Sequence, residues 1–161
     1  MNDRPPLDVE KLTLEKLAGG SALNLENLGL GDDGARKLAA METLLKASAL
    51  ELGDNGIGNE GVAALARSPY LRNLRTLNLK SNNITAEGAQ ALANSEYLAQ
   101  LDQLVLKFNR IGEEGAKHLA ASQYLRGLTT LDLFRNHIGP EGARAIKQSK
   151  HLSRCSRVRL D

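Results

Sequence analysis

Twenty-seven residues separate successive copies of one pattern in this 161-residue chain, and a period of that length decides what the chain can fold into. The pattern is plainest in LRTLNLKSNNITAEGAQALANSEYL from Leu74, LDQLVLKFNRIGEEGAKHLAASQYL from Leu101 and LTTLDLFRNHIGPEGARAIKQSKHL from Leu128. One step back stands ASALELGDNGIGNEGVAALARSPYL from Ala47, and one further the looser GSALNLENLGLGDDGARKLAAMETL from Gly20. CSRVRLD from Cys155 begins a sixth copy and stops after its strand.

With positions numbered 1 to 27, each unit reads physically. Leucines at positions 4 and 6, such as Leu77 with Leu79 or Leu131 with Leu133, alternate with polar residues, the period of a short strand buried on one face. Asn55, Asn82, Asn109 and Asn136 recur at position 9, where the chain turns and a side-chain amide can satisfy backbone groups that leave the ladder. Leu28 replaces this asparagine in the first unit, an irregularity expected of a terminal repeat. Position 14 is acidic in all five copies, Asp33, Glu60, Glu87, Glu114 and Glu141, and bases follow, which describes a helix aligned with its dipole rather than a cation site. The glycine column at position 15, from Gly34 to Gly142, predicts a helix lying close to the strand layer. Tyr70, Tyr97 and Tyr124 at position 24 predict a packing ladder between repeats.

One strand and one helix cannot bury their own apolar faces, so the units must stack with parallel strands in a single sheet. Strands repeat every ~4.8 Å while packed helices need ~8–10 Å, so the stack must curve. The expected fold is α/β: a solenoid in the form of a curved horseshoe arc, its parallel β-sheet concave and its helices convex.

These residues carry a family resemblance. LTTLDLFRNHIGPEGARAI, in the pattern LxxLxLxxNxIgxeGAxxLA, resembles the leucine-rich repeat, and its Gly-Ala helix is similar to the ribonuclease-inhibitor-like and bacterial GALA-type subclasses. The resemblance covers residues 20 to 161 in five in-register copies and a final strand. Slightly shorter units and almost no cysteine set the chain apart from ribonuclease inhibitor, so inhibition of ribonucleases is not implied. What the resemblance implies is a protein-binding scaffold, without naming the partner. Residues 1–19 are expected to form an N-terminal helical cap, because DVEKLTLEKLA over 8–18 places Leu17 one period before Leu44.

Composition narrows the function classes. One cysteine excludes a disulfide scaffold and a multi-thiolate zinc site. No apolar run approaches the ~20 residues of a membrane span, and MNDRPPLDVEKL lacks a signal peptide's apolar stretch, so a cytoplasmic location is expected. The net charge of +2 hides an asymmetry: residues 1–60 carry 11 acids and 6 bases, residues 61–161 carry 8 acids and 15 bases. An acidic end and a basic end follow, with no general affinity for nucleic acid.

Nothing in the sequence assembles a catalytic constellation. Cys155 takes position 1, where other units carry Gly, Ala or Leu, and reads as a small buried thiol. His151 lies four residues before it, but two ligands at one end of the chain make no metal site. His118 and His137 read as solvated surface, and the glycines of GIGNEG, Gly56 to Gly61, are explained by the repeat rather than by a dinucleotide fingerprint. The expectation is no catalysis, no cofactor, no metal and no small-molecule substrate.

The informative surface is the outer face of the strands. Positions 3, 5 and 7 point away from the helices and position 8 lies at the strand's rim. The only two phenylalanines, Phe108 and Phe134, fall in these columns in neighbouring units, close to Val105, Lys107, Asp132 and Arg135, with Lys80 one unit earlier. Aromatic residues and arginine on an open face have the composition of an interface hot spot, and these seven residues form the candidate partner-binding site. The alternatives are that Phe108 packs under the rim loop and that Phe134 is a lone exposed ring. An acid-free run from Gly142 to Leu160 holds Arg144, Lys147, Lys150, Arg154, Arg157 and Arg159 and either receives an anionic partner or is a solvated end.

The leading expectation is a small bacterial cytoplasmic module that binds a protein through its concave face. Regulation of a small GTPase is the alternative by family analogy, with the acids Glu51 and Asp54 meeting a basic surface. A basic-end adaptor for nucleic acid or anionic membrane is another. Val158 and Leu160 have no helix of their own unit over them, so the C-terminal edge is also expected to support weak self-association or to continue into further repeats.

Overall fold

The computed structural model describes residues 7–161; the start of the expected helical cap, residues 1–6, lies outside the described residues. A first helix, α1 (Val9–Leu17), precedes a strict alternation. Strands β1 (Ala22–Asn24), β2 (Ala49–Glu51), β3 (Thr76–Asn78), β4 (Gln103–Val105), β5 (Thr130–Asp132) and β6 (Arg157–Arg159) recur one per unit. Between them run α2 (Gly31–Ala39), α3 (Asn59–Ala66), α4 (Ala86–Ala93), α5 (Gly112–Ala120) and α6 (Gly139–Gln148). The strands form one sheet in chain order, every pair parallel, with Leu23, Leu50, Leu77, Leu104, Leu131 and Val158 in one row.

Position 4 from Leu23 to Leu131 and position 6 from Leu25 to Leu133 are fully buried between sheet and helices. Burial on that scale contributes roughly 2 kcal/mol per leucine, and the identical row in each unit makes a register slip costly. In the last unit the row ends exposed: Val158 is 38% exposed and Leu160 half-buried.

Buried asparagines tie the units together. Asn82 accepts through Oδ1 from the backbone N–H groups of Asn55 and Ile57, and donates through Nδ2 to the carbonyls of Leu52 and Leu79. Asn109 and Asn136 repeat the arrangement, reaching the carbonyls of Lys107 and Phe134. In the sixth unit Asp161 takes over the accepting role, bonding the N–H groups of Asn136 (2.9 Å) and Ile138 (2.9 Å). Burial pushes that carboxyl up, but N–H donors from Asn136, Ile138, Arg135 and His137 together hold it below the ordinary range.

Three expectations are corrected. The glycines of position 15 bring each helix against its neighbours rather than against the strands. A Cβ on Gly115 would stand 2.5 Å from Ile111 Cγ2 and 3.1 Å from Ala86 Cα in the preceding helix. The tyrosines are not the ladder: Tyr70 and Tyr97 are half-buried and Tyr124 is exposed, while the adjacent Leu71, Leu98 and Leu125 are buried. Cys155 is only half-buried, whereas Leu74, Leu101 and Leu128 at the same position are fully buried.

Two further devices support the helix layer. Asp32 Oδ1 accepts from the N–H groups of Gly58 and Gly61 at the start of α3, and Asn59 Oδ1 from those of Thr85 and Gly88 at the start of α4, so these two helix starts are satisfied from the unit before. Ser68, Ser95, Ser122 and Ser149 donate to the carbonyls of Ala39, Ala66, Ala93 and Ala120, linking each helix end to the next unit.

Candidate functional site: an aromatic and cationic cluster on the sheet face

The backbone at position 8 sets how the rim side chains leave the sheet. Asn27, Asp54, Ser81, Phe108 and Arg135 all have φ between 53° and 59°, the left-handed region. Asparagine and aspartate enter that region at little cost, whereas a bulky phenylalanine is an outlier there. Neighbouring strands hold the conformation: the Phe108 N–H donates to the Phe134 carbonyl at 2.9 Å, and Asn109 bonds the carbonyl of Lys107. The result is a ring that stands out from the rim at 42% exposure instead of folding beneath it.

Phe108 and Phe134 meet edge to face, their centroids 5.9 Å apart and their planes at 79°. Cations surround the pair. Arg135 Cζ lies 5.8 Å from one centroid and 5.6 Å from the other, Lys107 Nζ 5.9 Å from Phe108, and Arg159 Cζ 4.2 Å from Phe134. These are cation–π distances, and each orients a long side chain that would otherwise sweep freely. Asp132 accepts from the Phe134 N–H at 3.0 Å and approaches Arg159 at 4.0 Å. Val105 sits half-buried in register with Asp132.

Six of the seven candidate residues thus gather in one patch: Val105, Lys107, Phe108, Asp132, Phe134 and Arg135. Lys80 shares the face but turns the other way, its Nζ 3.1 Å from Glu26. Arg159, grouped in the sequence with the basic run, belongs in the patch; its signal was position 5 of the last strand, the column of Val105 and Asp132. Toward β1 and β2 the face is acidic, with Glu51 accepting from Asn78 Nδ2 at 2.6 Å and Asp54 exposed at the rim.

Elsewhere chemistry is sparse. Burial pushes the Cys155 thiol up, and a backbone hydrogen bond with Arg157 offsets this only in part, so the thiolate is disfavoured. Among the described residues no group of three or more histidine, cysteine or acidic side chains is placed to hold a metal, and no helix is long and apolar enough to cross a membrane.

A parallel sheet of six three-residue strands, one helix per unit and an asparagine ladder define a leucine-rich-repeat solenoid. The family model described as Leucine Rich repeat matches residues 48–66, 70–93 and 125–147. Repeats of this class generally mediate protein–protein interaction. Among solved structures, an internalin (inlF) from Listeria monocytogenes str. 4b F2365 is similar at 22% identity and a TM-score of 0.43, over 74% of this chain and 36% of that one. The chain therefore spans little more than a third of that protein's length. No curated protein matches the chain.

Proposed function

We propose that the protein is a non-catalytic interaction module that binds a protein partner through its sheet face, at the patch formed by Val105, Lys107, Phe108, Asp132, Phe134, Arg135 and Arg159. The observation that carries the reading is the edge-to-face Phe108–Phe134 pair, half open to solvent and flanked by three cations. Packing gives no reason for it. The core is complete without either ring, and Phe108 occupies a backbone conformation that favours a smaller residue. Aromatic and arginine side chains at such a site supply most of an interface's free energy.

The Gly-Ala helices support placing the units near the ribonuclease-inhibitor-like and GALA-type subclasses, and with them a bacterial, cytoplasmic setting. Affinity capture tests the function. Immobilised protein and its Phe134→Ala, Arg135→Ala double variant are exposed to the same lysate, and proteins retained by the first and lost from the second are the expected result. Identical retention on both would remove the patch from the function.

A further inference from the structure

The distribution of charge on the sheet face goes beyond that reading, on which it rests, to the chemistry of the partner. On the helix side, three cations are paired with carboxylates, Arg36 with Asp33 and Glu60, Lys117 with Glu113 and Glu114, and Arg144 with Glu141. On the face the cations of the patch are held differently. Lys107 and Arg135 have no carboxylate within ion-pair distance among the described residues and rest on aromatic rings instead, and Arg159 has only Asp132, at 4.0 Å. Stacking on a ring leaves the edge of a guanidinium free, and that edge is what a carboxylate engages through paired N–H donors.

Three units away the sign reverses. Lys80 is taken up by Glu26, which leaves Glu51 and Asp54 on the same face with no cation in ion-pair range among the described residues. A polyanion long enough to cross the face would leave the arginines and run onto these acids. A uniformly basic segment would meet the converse.

We propose that the face takes a polypeptide segment of mixed charge, its acidic end over Arg135 and Arg159 and its basic end over Glu51 and Asp54. From the second unit to the fifth is three strand spacings, about 14 Å. An extended chain covers that in about four to five residues and a helix in about nine to ten. The partner's two charged clusters are therefore close in sequence, and their order fixes the direction in which it lies across the strands.

The test is selection from a phage library of random peptides of about twelve residues, long enough to cover the span in either conformation. The baits are the 161-residue protein, Glu51→Lys with Asp54→Lys, Arg135→Glu with Arg159→Glu, and Phe134→Ala with Arg135→Ala. Asp54, Arg135 and Arg159 are exposed and Glu51 and Phe134 half-buried, and melting curves confirm that each bait is folded.

The protein is expected to enrich peptides carrying an acidic and a basic cluster at a fixed spacing. The first variant should lose the basic cluster from its enriched set and the second the acidic cluster. A mixed-charge peptide so selected should bind the Glu51→Lys, Asp54→Lys variant about tenfold or more weakly at low salt. Enriched peptides that lack basic residues, yet still fail on the Phe134→Ala, Arg135→Ala bait, would overturn the polarity and leave the face as the binding surface. Peptides that bind that bait unchanged, or no enrichment over a blank support, would overturn both. A single-stranded RNA of about twenty nucleotides that binds more tightly than any selected peptide, with a steep loss in salt, would replace the polypeptide with a polyanion.

Discussion

The side chain of Lys80 crosses the backbone of Gly53 and sets its Nζ 3.1 Å from Glu26, two units away along the sheet. The crossing requires glycine: a Cβ at position 53 would lie 2.7 Å from Lys80 Cε and 2.9 Å from Glu26 Oε1. Both charged side chains are largely screened from solvent, at 28% and 27% exposure.

The hydrogen bond with Glu26 is the main cause that raises the Lys80 ammonium above the ordinary lysine value; burial opposes it, and Asp54 and Glu51 add to it. A pKa raised by folding stabilises the folded state below the unfolded value and stops doing so as pH climbs through the folded one. At neutral pH, Glu26→Gln should therefore cost about 0.5–1 kcal/mol in urea denaturation, and the gap to the parent should close above about pH 10.4. A gap that persists into strong alkali would show that the pair does not supply it.

Asn82 is the second point of leverage, because a single side chain satisfies backbone groups in two units. Truncation to alanine strands buried donors and acceptors together, and the expected loss is about 3 kcal/mol or more. Asn82→Asp keeps the accepting oxygens and loses the donors, so it should fall between. Chemical denaturation of the three proteins orders them.

Gly115→Ala separates helix propensity from packing. Alanine favours the helix by about 1 kcal/mol, yet the added carbon would press on Ile111 Cγ2 at 2.5 Å and on the Ala86 backbone at 3.1 Å. Ile111 and the preceding helix must move, so a net destabilisation of about 1–3 kcal/mol is expected. At Gly20, where nothing lies within 4 Å, the same substitution should be close to neutral. Thermal melts of both variants make the comparison.

Cys155 provides a check on the absence of an activated nucleophile. Desolvation raises its thiol, so alkylation by iodoacetamide at neutral pH should run slower than that of a free cysteine, with the rate rising only above the usual thiol range. A fast, pH-independent reaction at neutral pH would mark a stabilised thiolate and reopen catalysis.

The fold was readable because period, register and burial are one fact in a repeat. The 27-residue spacing that aligns Leu77 with Leu104 in the sequence is the register that pairs them in the sheet. Contacts between units were harder to see, since they join residues whose partners lie one period away. The four serines from Ser68 to Ser149 are aligned as plainly as the leucines, but their acceptors are backbone carbonyls, which leave no mark in sequence. Asp32 and Asn59 likewise serve the next helix rather than their own. Within the patch, column position brought Phe108, Phe134 and Arg135 together. It could not show that Lys80 turns toward Glu26, which depends on the missing side chain at Gly53, or that Arg159 leans back over Phe134.

Titration calorimetry of a captured partner against the protein, the Phe134→Ala, Arg135→Ala variant and the Gln90→Ala variant on α4 tests the central claim most directly. The expected result is a loss of about 2 kcal/mol or more for the first variant, roughly thirtyfold in affinity, with unchanged melting and no effect of Gln90→Ala. Unchanged affinity in the first and a loss in the second would place the partner on the helix side and contradict the account.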